Sequence, residues 1–321
     1  MDSPPVHVLL GDIGATNARF ALLSKGVLGP IEWFTVAEFA EFTDAVDAFC
    51  RRHCGHILVS DALLAVAGPV AEDRCMLTNC RWIIDASELR AGFGFTRVRI
   101  FNDFEAIALS LPQLTPADLY PLGGGVAVPG APMAVLGPGT GLGVACFVPA
   151  SPNSIVIASE GGHATLAACS SREDAIIDHL RREFGHVSAE RVVSGTGLEN
   201  LYRAVIAVDK VEAPKRNAAE ITKAALEGDS PIARAALELF CAMLGSIAGN
   251  AALMFGARGG VYIAGGIAPR ITEFMARSEF RARFESKGRF ATYLASVPTS
   301  VIVHSAATFL GLSSMVPCRA M

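Results

Sequence analysis

The sequence predicts an α/β fold in two related lobes, and three observations carry that expectation. Apolar runs of strand length alternate with segments of helical periodicity along the chain. A strand–glycine turn–strand plan at Gly11-Asp12-Ile13-Gly14-Ala15-Thr16-Asn17-Ala18-Arg19 recurs around Gly137-Pro138-Gly139-Thr140-Gly141-Leu142-Gly143. The length, 321 residues, favours two domains over one.

The elements follow in order. A hairpin spans Val6 to Leu23. Val36 to Cys54 has helical spacing, with Phe39, Phe42, Val46, Phe49 and Cys50 on one face. Ile57 to Ala67 reads as a buried strand ending in Gly68-Pro69, and Asp85 to Ala91 as a short helix with Ser87 near its start. A strand at Val98 to Phe101 meets Asn102-Asp103, and a helix from Phe104 to Leu111 is closed by Pro112. The second lobe holds the second hairpin, a strand at Ile155 to Ala158, the loop Glu160-Gly161-Gly162-His163 and a helix at Arg172 to Phe184. Ser188-Ala189-Glu190 is expected to open a helix, followed by Ser194-Gly195-Thr196-Gly197. Ile232 to Leu253 is a long helix rich in small residues. Val261 to Ala264 is a strand running into Gly265-Gly266, and Val301 to Val303 a late strand. The helix Ala306 to Leu312 then returns to the first lobe. The expected lobes are residues 1–112 with 304–321, and residues 113–303.

Composition narrows the function. The chain is 51% hydrophobic, enough for a large core, and its net charge of −4 argues against nucleic acid as a partner. No secretory signal is expected, and glycines and prolines break the uncharged stretch from Pro121 to Ser159, so it reads as loop and hairpin rather than membrane span. Eight scattered cysteines suit the reducing cytosol. Cys50-Arg51-Arg52-His53-Cys54-Gly55-His56 raises a zinc site, but no second ligand pair follows, and the blander reading is a helix end.

The glycine turns carry the first chemistry. Without Cβ atoms, a turn can aim several N–H groups at one anion, and Thr16 and Thr140 add hydroxyl donors. Phosphate is the natural ligand. Asp12 repels phosphate unless a divalent cation stands between them. The chain lacks a Gly-Lys dipeptide and an in-frame dinucleotide fingerprint, so phosphate binding uses another geometry. Asn102-Asp103 sits where a strand meets a helix, the place where open α/β sheets bind ligands. Asp103 can take a proton from a hydroxyl receiving a phosphoryl group, or it can cap the helix. Glu160 and His163, two permissive residues apart, suit paired hydrogen bonds to a sugar; a buried, hydrogen-bonded histidine is the alternative. Glu190 is a third candidate, or a partner of a helix dipole. Gly265-Gly266 allows the close approach of a flat ring, or is a plain turn.

Together these residues resemble the bacterial glucokinases, ATP-dependent enzymes of the hexokinase–actin–Hsp70 superfamily. The likeness covers nearly the whole chain. Besides the first turn it rests on Ala67-Gly68-Pro69, Thr78-Asn79 with Trp82, Asn102-Asp103-Phe104 and Gly139-Thr140-Gly141-Leu142-Gly143. Glu160-Gly161-Gly162-His163, His186-Val187-Ser188-Ala189-Glu190-Arg191 and Ile263-Ala264-Gly265-Gly266-Ile267 complete it. The resemblance implies a two-lobed ribonuclease H-like (actin-like ATPase) fold with an interlobe cleft. It implies transfer of the γ-phosphoryl group of ATP, with Mg²⁺, to the 6-hydroxyl of glucose in a cytoplasmic homodimer. On this resemblance Asp103 is the general base, and Asn102, Asp103, Glu160, His163 and Glu190 hold the sugar. Gly11, Asp12, Ile13, Gly14, Ala15, Thr16, Gly139, Thr140, Gly141, Gly265 and Gly266 hold the nucleotide, Asp12 facing the Mg²⁺ shell through water.

Two departures stand out. Ala15 replaces the family's third glycine, which weakens nucleotide binding if that position needs positive φ. Leu166-Ala167-Ala168 replaces an aromatic residue with Ala-Pro behind the sugar loop. Two other classes stay open: a sugar-responsive protein without catalysis, and an actin-like ATPase that ignores sugar.

Overall fold

The computed structural model describes residues 7–55, 57–77 and 80–316; Val6, His56, Thr78, Asn79 and Cys318 lie outside this set. Two compact units emerge, one running to Gln113 and resuming at Ser305, the other Leu114–His304.

The first unit is built on β1 (His7–Ile13), which pairs antiparallel with β2 (Asn17–Ser24). β3 (Val27–Leu28) and β4 (Glu32–Thr35) both pair with β2. After α1 (Phe42–His53), β5 (Asp61–Val66) joins β1 in parallel. A small hairpin, β6 (Arg74–Met76) and β7 (Ile83–Asp85), leads into α2 (Ala86–Phe93). β8 (Arg97–Asn102) pairs in parallel with β5 and passes directly into α3 (Asp103–Ser110). The sheet order is β3-β2-β1-β5-β8. Its middle strands read as continuous apolar runs because both faces are covered. Leu9, Phe20 and Leu64 pack with Phe42 and Phe49 of α1; Val8, Leu10 and Leu63 pack on the other face with Phe101, Phe309 and Leu312.

Two expected elements are shorter than the sequence suggested. Val36 to Cys54 is not one helix: Val36–Glu38 forms a single tight turn, Phe39 is extended, and α1 starts at Phe42. The stop lies in the capping box, where Glu41 N–H donates to the Asp44 carboxylate at 3.1 Å. Phe39 keeps its apolar contact through the Phe34 ring instead, at 5.6 Å between centroids. β5 begins at Asp61 rather than Ile57, because pairing with β1 starts at Val8 opposite Asp61. Leu58, ahead of that point, is 82% exposed. The cluster from Cys50 onward is the end of α1, with Arg51, Arg52 and His53 complementing the dipole; no group of three metal-binding side chains occurs among the described residues.

Asp85 caps α2, its carboxylate accepting from Ser87 N–H at 2.8 Å, Ser87 Oγ–H at 2.5 Å and Glu88 N–H at 3.3 Å. The Ser87 hydroxyl, then the two amides, hold this carboxyl below its ordinary 3.8. Its folded pKa therefore lies below the unfolded one, and the stabilisation is present above pH 3.8 and fades as pH falls through the folded value. Asp85→Ala is expected to lose about 1 kcal/mol at neutral pH. Thermal melts should show a smaller deficit in acid; an equal deficit at neutral and acid pH would show that the charge contributes nothing.

The second unit repeats the plan. β9 (Leu119–Gly123) is followed by β10 (Met133–Pro138), β11 (Leu142–Val148) and β12 (Ile155–Ser159). α4 (Ser171–Phe184), α5 (Gly195–Asp209), α6 (Ala218–Glu227) and α7 (Pro231–Phe255) precede β13 (Val261–Ile263). α8 (Thr272–Arg277), α9 (Phe280–Glu285) and α10 (Ala291–Ala295) precede β14 (Thr299–Ile302). The order is β12-β11-β10-β13-β14-β9. With β9 set aside, it matches the first sheet strand for strand: three antiparallel neighbours, then two parallel additions.

α7 is the core helix of this unit. It is long and apolar enough to cross a membrane, but 67% of its most apolar window is buried within the protein. Its small residues let α9 approach closely: a Cβ on Gly245 would collide with the carbonyl of Phe280. At this crossing Arg283 Nη1 and Nη2 donate to the two oxygens of Glu173 at 2.6 and 3.0 Å, and Arg283 Nε donates to Ser246 Oγ at 3.2 Å. Glu173 is 2% exposed, and its hydrogen bonds and charge raise the Arg283 pKa against the opposing pull of burial.

The chain returns to the first unit as α11 (Ala307–Ser314), packed on α3. Gly311 fits against the Ala106 carbonyl, where any Cβ would overlap. Gln113 Nε2 donates to Leu109 O and Leu310 O at 3.3 and 3.4 Å, holding the end of the first segment to α11.

Candidate active site

In the first unit, register decides what meets. Ile13 lies opposite Val66, and Val66 opposite Asn102. The carboxyl ends of β1, β5 and β8 are therefore level, with β1 and β8 roughly 10 Å apart across two strand spacings. The Gly14-Ala15-Thr16 turn, the Ala67-Gly68-Pro69 bend and Asp103 leave from that one edge. Ala67 N–H donates to Ile13 O at 2.9 Å, and Asn102 Nδ2 to Gly68 O at 3.3 Å, tying the three together.

The helix cap falls to Asn102, not Asp103. Asn102 Oδ1 accepts from Phe104 and Glu105 N–H at 2.9 and 3.4 Å. Asn102 is thus largely occupied with the fold, with at most one amide hydrogen left for a ligand. Asp103 is the first helical residue, half-buried, and its Oδ1 accepts from Phe104 N–H at 2.9 Å. Below it Cys75 is buried; burial, then the Asp103 charge, push that thiol up to about 11, so it stays neutral beside the carboxylate.

The first turn needs correcting in two places. Gly11 and Ile13 are not turn residues but lie inside β1, both buried. A Cβ on Gly11 would come within 2.7 Å of Leu64 Cδ2, so a side chain here would have to displace buried core groups. The turn itself is closed by Gly14 N–H donating to Asn17 O at 3.0 Å, with Thr16 exposed. Ala15 is not among the positive-φ residues, so its methyl carries no backbone strain and the expected weakening has no basis here.

Asp12 faces Arg19 directly across the hairpin. Arg19 Nε and Nη2 both donate to Asp12 Oδ2, the former at 3.0 Å, while Nη1 donates to Ser305 O at 3.0 Å. This leaves Asp12 Oδ1 for a water of a metal shell. Mg²⁺ keeps several waters and takes one or two carboxylates together with substrate phosphates. One carboxylate with one engaged oxygen fits that demand.

The second unit gathers the rest. The Gly139-Thr140-Gly141 turn is closed by Gly139 N–H donating to Gly141 O at 2.8 Å. Gly195 N–H donates to Gly139 O at 2.8 Å, bringing the N-terminus of α5 to this turn. The Gly265-Gly266 turn joins it as well, through Ile267 N–H to Pro138 O at 3.3 Å. Gly265 has φ +85°, and a Cβ there would overlap Pro138 O; Gly266 faces open space.

Glu160 and His163 lie on a single turn, Gly161–His163, that follows β12. His163 Nε2 is 3.7 Å from Glu160 Oε2, and Nδ1 is 3.9 Å from Glu190 Oε1. These are ion-pair distances rather than hydrogen bonds, and both Glu160 and His163 are more than half exposed. Glu190 does not open a helix as expected. It lies in a turn whose amide donates to Gly162 O at 2.8 Å, and the helix starts five residues later behind its cap, Ser194. Sequence reading also missed that Ser194-Gly195 abuts the Gly139 turn. The motif was visible, but nothing local tied it to Gly139.

The first unit thus carries a half-buried carboxylate at the same sheet edge as a glycine turn, and the second a Glu–His–Glu set next to another. A family model described as Glucokinase matches residues 9–317. The chain belongs to the glucokinase family. Glucokinase of Paramagnetospirillum magneticum is 46% identical over 312 residues, which cover 96% of this chain and 97% of that protein. A bifunctional protein of Paraburkholderia xenovorans is 43% identical over 310 residues, and the chain spans 48% of its length. Among solved structures, the glucokinase from an Antarctic psychrotroph superposes with a TM-score of 0.87 at 37% identity, covering 96% of this chain and 98% of that one. The superposition assigns the chain the family's two-lobed, ribonuclease H-like (actin-like ATPase) fold.

Proposed function

We propose that this chain transfers the γ-phosphoryl group of ATP to the 6-hydroxyl of glucose. The observation that carries the reading is the level edge of the first sheet, from which both Asp103 and a phosphate-type turn leave, the cap duty falling to Asn102. Family membership supports glucose as acceptor and a nucleotide as donor.

Asp103 takes the proton of the 6-hydroxyl as the bond from that oxygen to the γ-phosphorus forms and the bond from the γ-phosphorus to the bridging oxygen breaks, ADP leaving with that oxygen. The hydroxyl is a poor nucleophile while protonated, and a carboxylate within hydrogen-bond reach removes that barrier. Glu160, His163 and Glu190 accept from and donate to the other hydroxyls, with one amide hydrogen of Asn102 as a further donor. The N–H groups of the two glycine turns hold phosphate oxygens, and Gly265-Gly266 lies against the adenosine. Asp12 would hold Mg²⁺ through its water shell, and the bound ion would supply neutralisation of phosphate charge. Most of the rate comes from positioning and charge stabilisation, since little covalent chemistry falls to the protein. The same reading places the enzyme in the cytoplasm as a homodimer.

The test is direct. Purified protein with MgATP should release ADP only when glucose is present, in step with glucose 6-phosphate. ADP release indifferent to glucose would favour an actin-like ATPase. Glucose binding without ADP release would favour a sugar-responsive protein.

A further inference from the structure

Gly141 belongs to the phosphate turn, yet its surroundings belong to the sugar side. A Cβ at this position would overlap Glu190 Oε2, so the missing side chain makes room for a carboxylate 49 positions along the chain. That oxygen accepts from the next amide, Leu142 N–H, at 2.9 Å. Glu190 N–H in turn donates to Gly162 O at 2.8 Å. Gly162 closes the circuit, because a Cβ there would overlap the Leu142 carbonyl. Leu142 is thereby bonded at its amide by Glu190 and packed at its carbonyl against Gly162 of the sugar loop. The other Glu190 oxygen, Oε1, points toward His163 Nδ1, 3.9 Å away.

We infer that the Glu190 carboxylate is divided between two tasks, Oε2 anchoring the phosphate turn and Oε1 serving the sugar, so that Gly141 is a positioning residue for glucose. The inference rests on the proposed function only in taking Glu190 as a sugar ligand. One consequence is a reciprocal coupling. A sugar that fixes Glu190 also fixes Leu142 N–H, and with it the turn that receives phosphate. A nucleotide that orders the turn fixes Glu190 in return. Linkage requires each ligand to change the other's affinity by the same factor.

The side chain of Glu190 is flexible and 32% exposed, so a methyl at position 141 displaces it rather than breaking the fold. Gly141 has no positive φ, so Gly141→Ala adds no backbone strain. In the absence of nucleotide, Gly141→Ala should therefore weaken glucose binding about tenfold, as expected on losing a hydrogen bond to a charged group. Its melting temperature should stay near that of the unaltered protein. With a non-hydrolysable ATP analogue and Mg²⁺ present, the ratio of glucose affinities with and without analogue should fall toward one. In the double variant Gly141→Ala/Glu190→Gln, the second change should add little to the loss caused by the first. Calorimetric glucose titration reads the affinities, and a thermal melt reads the midpoint. Unchanged nucleotide-free glucose affinity in Gly141→Ala would overturn the inference, and so would additive losses in the double variant. If the unaltered protein itself binds no glucose, the proposed function fails instead.

Discussion

Asp103→Asn is expected to lower kcat by a factor on the order of 10² or more, with the KM for glucose little changed. An asparagine fills the same space and keeps an oxygen to accept from Phe104 N–H, so α3 should start where it does now. What it lacks is a lone pair basic enough to receive the hydroxyl proton. Neighbouring Asn102 cannot take over, because its Oδ1 already serves Phe104 and Glu105. Steady-state kinetics with a coupled ADP assay gives the split between kcat and KM. A raised KM with unaltered kcat would make Asp103 a binding group and leave the reaction without its base.

The largest expected loss of stability comes from a residue far from the chemistry. Arg283→Met should destabilise the protein by roughly 3 to 5 kcal/mol, because it leaves the Glu173 charge buried without its partner. Cys169 N–H still reaches Glu173 Oε2 at 2.8 Å, but one amide does not replace a two-pronged guanidinium. For a unit of this size the midpoint of thermal unfolding should fall by on the order of ten degrees. Removing both charges, as Arg283→Met with Glu173→Leu, should recover most of the loss, since a buried ion pair is often matched by apolar residues of similar volume. Equal midpoints for Arg283→Met and the unaltered protein would mean that the pair is solvated in solution.

These two residues also mark how far sequence alone reaches. The place of Asp103 at a strand-to-helix junction was legible because its signal is local: an apolar strand, a polar pair, then helical periodicity. The two glycine hairpins were legible for the same reason, and their repetition announced two related lobes before any strand order was visible. The pairing of Arg283 with Glu173 joins residues 110 apart, and nothing near either one names the other. Glu190 shows the same limit. Its neighbours Ser188 and Ala189 look like a helix start, but long-range bonds to Gly162 and Leu142 hold it in a turn. Gly11 reads as part of the turn, whereas it lies inside β1 with Leu64 of a neighbouring strand packed against it. Val36 to Cys54 misled through composition: Phe39 keeps the helical spacing yet meets Phe34 from an extended segment.

The closing helix has a consequence for how the protein is made. Phe309 and Leu312 fill one face of the first sheet, and Gly311 sits on the backbone of α3. A ribosome releases the partners of these residues, Val8, Leu10 and Leu63, some two hundred and fifty to three hundred positions earlier. Until α11 emerges, that face is covered only from the side of β8 and α3, while residues 114–304 can already have folded. The unit synthesised first is therefore completed last. A nascent chain stalled before position 307 should carry a sticky apolar surface that chaperones recognise.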